Sequence, residues 1–349
     1  MIDWNLALAT ATKLSRPGPE MSAAEVGEAV AELREGAASS EAPVREFSDL
    51  HATSATAPVL VIDRPRWIEA NLDTFKILMD PVTAKLAAST NKAPSGFSRV
   101  VGEKVSGAEV GALMSFMSSK VLGQFDPFWS GPDGEGGRLL LVAPNIVQAE
   151  RQLGVDPHDF RLWVCLHEET HRVQFTAVDW MRGHMKSLID DFIDATDMDS
   201  SAISAMVQDG LGEVVRIVKG QSDASLADVF QNDKQREIVD RLTGIMSLLE
   251  GHADVVMDGV GPEVIPSVAE IRRKFTERRK GASPLDRMLR RLLGLDAKMR
   301  QYRDGATFVR EVNEMVGLSG FNQVWAEPAN LPGKSEILDP ASWVKRVHG

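Results

Sequence analysis

Residues 167–171 read His-Glu-Glu-Thr-His, a spacing that can do metal chemistry. On a helix, side chains at i and i+4 share one face with Cβ atoms roughly 5–6 Å apart. His167 and His171 can therefore close on one zinc ion (Zn2+). Glu168 can hold and deprotonate a metal-activated water as a general base. With 7 His in 349 residues, chance supplies such a pattern in about 1% of chains of this composition, so the motif is read as meaningful.

The chemistry requires a helix, and the flanks provide one. Asp156-Pro157 is an N-cap followed by proline at the first helical position. No Gly or Pro interrupts residues 158–182, so a helix is expected over about 157–182. Apolar residues surround most of it, which marks it as buried. Imidazole and carboxylate groups in such a helix need partners, because unpaired buried charge is costly. A metal is one such partner, and a hydrogen-bonded structural cluster is the other.

A catalytic zinc takes three protein ligands and a water. The extended form HExxHxxGxxH is absent, since Gln174 and Ala177 stand where Gly and His are needed. A Glu on a second helix is the alternative. Leu248-Leu-Glu-Gly-His-Ala-Asp254 lies in a helical pattern from about 234 to 258, ended by Asp258-Gly259 and Pro262. Glu250 is the candidate third ligand. Asp254, one turn on, is a candidate acceptor for the free ring nitrogen of a ligating histidine. Gly251 inside this helix costs about 1 kcal/mol relative to Ala, and close approach of the HExxH helix would justify it. His252 is roughly 200° around the helix from Glu250, so the two cannot easily share one metal. His252 is the reserve ligand if Glu250 is turned away.

These residues resemble a family. Leu166-His-Glu-Glu-Thr-His-Arg-Val-Gln-Phe-Thr-Ala-Val178 followed by Leu249-Glu-Gly-His-Ala-Asp254 is similar to the zincin-like metallopeptidases of actinobacterial type, a Glu-ligand zincin family associated with deazaflavin-coenzyme biosynthesis. Asp3-Trp4, Arg16-Pro-Gly-Pro19, the stretch 119–127 and Leu139-Leu-Leu-Val-Ala-Pro-Asn145 extend the likeness over essentially the whole chain. The resemblance implies a mainly α fold with a small β component, zincin-like architecture and a zinc cofactor. It supplies no substrate. It also suggests a role for Tyr302, the one tyrosine: donating a hydrogen bond to a developing oxyanion. The other reading of Tyr302 is packing at a core edge.

At 349 residues the chain can bury a full core. The expected division is an N-terminal, mostly helical region over 1–130 and a catalytic region over 131–349, together in one compact unit. The single Cys165 excludes an internal disulfide framework and a cysteine-rich zinc site, and reads as a small core residue. No signal-like N-terminus and no run of about 18 apolar residues is found, so a cytoplasmic protein with no membrane span is expected. The net charge is −11, yet residues 271–303 hold 12 Lys/Arg against 3 Asp/Glu. That block reads as the solvated face of an amphipathic helix, or as a platform for an acidic ligand or partner. No nucleic-acid motif accompanies it.

Elsewhere, Ser22-Ala-Ala-Glu25 signals a helix to about Gly36, with residues 37–43 as a loop. Val59–Ile62 reads as a strand, and Arg64-Pro65 opens a helix to about Leu78. Another helix is expected from Val105 to Leu122. Residues 138–142 read as a strand that either offers an edge to an extended peptide or belongs to a minor sheet. Five aspartates within 190–199 lack the pattern of a calcium loop. The tail after Pro328 is expected to lie over the surface. Three functions follow: a zinc-dependent peptidase or amide hydrolase, a catalytically inactive zincin-like metal-binding or interaction protein, and a helical protein binding through its basic face.

Overall fold

The structure, a computed structural model, describes residues 2–52, 57–89, 96–132, 136–195, 233–280 and 295–349; over 80–89, 96–106, 278–280 and 295–303 it describes the backbone alone. Among the described residues the chain is mainly helical with one three-stranded sheet, the class expected from sequence. It divides into two compact units, Met1–Ala177 with Val260–Lys274, and Val178–Gly259 with Phe275–Gly349. Both units are therefore discontinuous in sequence.

The first unit contains α1 (Trp4–Leu14), α2 (Ala23–Ser48), β1 (Val59–Ile62), α3 (Arg64–Ser89), α4 (Gly96–Ser118), β2 (Gly123–Ser130), β3 (Gly136–Val142), α5 (Ala143–Leu153) and α6 (Pro157–Ala177). The expected capping box opens α2: Glu25 N donates to Ser22 Oγ at 3.3 Å, and Ser22 N donates to Glu25 Oε2 at 2.7 Å. The helix does not stop at Gly36. It continues through Pro43 to Ser48, which corrects the loop expected over 37–43. The reason is burial against α6: Ala37, Ser40, Val44 and Ser48 form one buried stripe. Ser40 and Ser48 satisfy their hydroxyls on Gly36 O and Val44 O, both at 2.6 Å. Pro43 gives up one backbone bond, which the packing outweighs. Helix α4 ends at Ser118, four residues before the expected Leu122, and α3 runs on past Leu78 to Ser89.

The sheet has the order β1-β3-β2. Strand β1 runs parallel to β3 with Val59 opposite Leu139, and β2 runs antiparallel to it with Gly123 opposite Leu141. Because β3 is the central strand, both of its edges are already paired, and the idea that residues 138–142 offer an edge to a peptide is overturned. Leu139 to Val142 are wholly buried, as an apolar run covered on both faces should be. Helices α1, α3 and α4 close over the sheet through Ala7, Trp67, Ile68, Met114 and Leu140.

The second unit contains α7 (Met181–Asp194), most of α8 (Asp233–Val264), the end of α9 (Val268–Lys280), α10 (Leu295–Phe321), α11 (Lys334–Leu338) and α12 (Pro340–His348). The HExxH helix thus stops at Ala177 instead of running to 182, and α7 follows after a turn in which Met181 N bonds Val178 O at 3.0 Å. The C-terminal tail is not a surface strap. Trp343 is wholly buried, packs edge-on against Phe308 at 5.7 Å and donates its Nε1–H to Asn330 O at 2.7 Å. Large apolar side chains in α11 and α12 make the tail part of the core.

Candidate metal centre

Helix α6 starts as its sequence dictates: the Asp156 carboxylate caps Asp159 N at 2.9 Å. Three turns on, the His167 and His171 rings lie edge to face with centroids 4.9 Å apart, both half-buried. His171 Nδ1 is 3.0 Å from Gln174 Oε1. An amide oxygen only accepts, so this contact places the ring proton on Nδ1 and makes Nε2 the nitrogen that carries the lone pair. Glu168 is buried, and its carboxylate lies against the start of β2: a Cβ built on Gly123 would meet Glu168 Cγ, Cδ and Oε1 at 2.5, 2.6 and 2.8 Å. On the same faces, two residues along the strand and two turns along the helix, Phe125 stacks on Phe175 at 5.3 Å.

The neighbouring Glu169 has a different duty. It is wholly buried and holds Arg172 Nε with both carboxylate oxygens at 2.9 Å. Arg172 reaches Ala57 O and Glu41 Oε2, each at 2.7 Å, and Glu41 pairs with Arg45 at 2.6 Å. Burial pushes the Glu169 carboxyl up to about 7, more than Arg172 draws it down. Arg161 is a second anchor, bidentate to Glu150 at 2.6 and 3.0 Å and bonded to Glu32 at 2.7 Å. Cys165 is the core residue expected: it is wholly buried, and burial followed by the charges of Glu168 and Glu169 pushes its thiol up, which makes it inert.

Helix α8 carries Glu250 and Asp254 one turn apart, both half-buried. Gly251 does admit another helix, but that helix is α10, a correction to the expected partner. A Cβ at Gly251 would run into the Gly305 and Ala306 backbone, and one at Gly305 into Ser247 O. The paired glycines bring two backbones to a separation that no side chain permits. His252 is 3% exposed and sits among rings, stacked on Phe321 at 5.7 Å and edge-on to Trp325 at 5.3 Å. Tyr302 lies on α10, and its side chain is outside the described residues.

A sequence model of the zincin-like metallopeptidases matches residues 2–344. The chain belongs to this family. It is also similar, at 29% identity and a TM-score of 0.71, to a protein from Chloroflexus aurantiacus whose crystal structure is named that of a "putative hydrolase with a novel fold"; the match covers 100% of this chain and 99% of that one. No curated protein matches.

Membership of the zincin-like family points to a hydrolase and implies a metal, usually zinc. The α6 donors fit that group: two imidazoles on one helix face, one with its tautomer set by Gln174, are of the kind zinc prefers. Sequence reasoning passed over Gln174 except as a missing glycine, although its i+3 spacing from His171 could have flagged it. Gly123 has no local signal, because Pro127 inside β2 marks the run against a regular strand.

The basic segment is partly spent within the fold. Lys274 donates to Gly154 O at 2.7 Å and pairs with Glu270 at 2.7 Å, while residues 281–294, with Arg290 and Arg291, lie outside the described residues. Of the aspartates near 190–199, Asp190 pairs with Lys186 at 2.7 Å; Asp197 and Asp199 are outside the described residues. Among the described residues no helix is long and apolar enough to cross a membrane.

Proposed function

We propose that the protein is a metal-dependent hydrolase of peptides or related amides. His167, His171 and Glu250 would be the ligands of one zinc ion, since two imidazoles and a carboxylate are donor types that zinc takes. Glu168 would be the general base. The observation that carries the reading is the α6 arrangement: a buried carboxylate flanked by two imidazoles on one helix face, with the tautomer of His171 set by Gln174.

Zinc, when bound, supplies Lewis-acid polarisation of a carbonyl and lowers the pKa of water to about 7. The chain's own groups do the rest. Glu168 takes the proton of the attacking water and delivers it to the leaving nitrogen. Gln174 holds His171 in one tautomer, and Asp254 would do the same for a ligating histidine. Tyr302 is assigned the donation of a hydrogen bond to the oxyanion as it forms. An acidic ligand or partner at the basic segment is a separate, weaker proposal, since Lys274 is already engaged.

Metal content provides the test. Purified wild type should hold about one zinc per chain, and a His167→Ala/His171→Ala variant almost none. Equal, negligible zinc in both would end the reading. Glu168→Gln should keep its zinc and lose hydrolysis of a quenched-fluorescence peptide library. Zinc retained with no hydrolysis by the wild type would favour an inactive metal-binding protein instead.

A further inference from the structure

The start of β2 is held more firmly than an edge strand needs. Leu122 O accepts Val142 N at 2.8 Å, and Gly123 pairs with Leu141. Trp67 Nε1 donates to Gln124 Oε1 at 2.9 Å, and Gln124 Nε2 donates to Asn71 Oδ1 at 2.9 Å, which ties the strand to α3. Phe125 stacks on Phe175 and ties it to α6. Alternate strand residues face the same way, so the Phe125 contact that fixes β2 on α6 also aims Gly123 at that helix. The residue it meets there is Glu168.

We infer that Gly123 is a positioning residue for the Glu168 carboxylate. The inference rests on the proposed role of Glu168 as base and deepens it. A carboxylate on three rotatable bonds loses orientation unless its neighbours remove the alternatives. Here the wall is peptide backbone, reached only because position 123 carries no side chain. The three atoms a Cβ would meet are all at the movable end of Glu168, not in the backbone of α6. An alanine therefore displaces the carboxylate before it displaces either element. The φ of Gly123 is not in the left-handed region, so alanine meets no backbone strain there and the contact alone sets its effect.

A thermal double-mutant cycle on the full-length, metal-free protein tests the contact without any substrate. Gly123→Ala should lower Tm by about 3 °C or more, from overpacking. In a Glu168→Ala background the same change should lower it little or raise it, since alanine orders a strand better than glycine. Equal losses in both backgrounds, or no loss in either, would overturn the inference. The zinc-loaded protein then tests the consequence. Gly123→Ala should keep its zinc, cut kcat on a quenched-fluorescence peptide about 100-fold and leave KM within about twofold. A raised KM with unchanged kcat would overturn the inference, because Gly123 would then act on substrate. If the wild type hydrolyses nothing while the thermal coupling is present, the hydrolase reading falls and the positioning of Glu168 by Gly123 stands.

Discussion

The two helices that carry the candidate ligands are held in place by opposite means. Helix α6 is anchored by charge: Glu169, Arg172, Glu41 and Arg45 form one chain of contacts to α2, and Arg161 makes another to Glu150 and Glu32. Helix α8 is anchored by absence of side chain: Gly251 lies on Gly305, and Gly244 lies under Pro332 O. Its ion pairs to other elements, Asp258 with Arg310 and Asp240 with Lys334, are exposed and contribute little. A charged anchor is directional and fixes the rotation of a helix about its axis. A glycine seam fixes distance, since backbone contact cannot be shortened. Rotation matters most on α6, which must present two imidazoles and a carboxylate on chosen faces.

The largest effect should come from breaking the α6 anchor. Arg172→Met leaves the wholly buried Glu169 without this partner, while Glu41 keeps Arg45, and should cost about 3–5 kcal/mol in chemical denaturation. Replacing Glu169 by Leu in the same chain should recover much of that loss, because a buried pair removed whole is often near neutral. No recovery would mean that α6 is held by something other than this pair. Next comes the seam. Gly251→Ala should cost about 3 kcal/mol or more, since the colliding atoms are backbone and cannot swing aside. The seam atoms do not titrate, so the cost should be the same at pH 5 and pH 8; a cost that changes with pH would contradict a purely steric anchor.

Smaller effects sharpen the contrast. Asp156→Ala removes the α6 cap and should cost about 1 kcal/mol, with no change in zinc content. The finest test is the pH dependence at Glu150. Burial pushes its carboxyl above the ordinary 4.5, more than Arg161 lowers it. The folded state then holds the proton more tightly than the unfolded state. The stability this group contributes is full below about pH 4.5 and is lost as pH rises through its folded value. Glu150→Gln should flatten the Tm profile on the alkaline side of pH 4.5. An unchanged profile would show that Arg161 keeps Glu150 ionised throughout.

The legible parts of this protein were those written in local chemistry. The α2 capping box, the Asp156-Pro157 start of α6, strand β1 and the central apolar run of β3 stood where the spacing put them, because caps and periodicity act within a few residues. Errors came where packing overrode local preference. Pro43 lies inside α2 because a buried stripe continues past it. The tail after Pro328 is core because Trp343 finds a cavity wall in Phe308. Strand β2 forms despite Pro127 within it, because pairing with β3 satisfies its backbone.

The sequence by itself determined the candidate site on α6: His167, Glu168 and His171 on one continuous helix follow from residue type and a 3.6-residue period. Only the tertiary structure decided what steadies them. Gln174 on His171 is local, but Gly123 against Glu168, Arg172 on Glu41 and Ala57, and Gly251 against Gly305 join residues 45 to 131 positions apart. Such contacts depend on which surfaces meet after the chain has closed, and a glycine or an arginine looks the same in sequence whether it meets solvent or the partner that gives it a role.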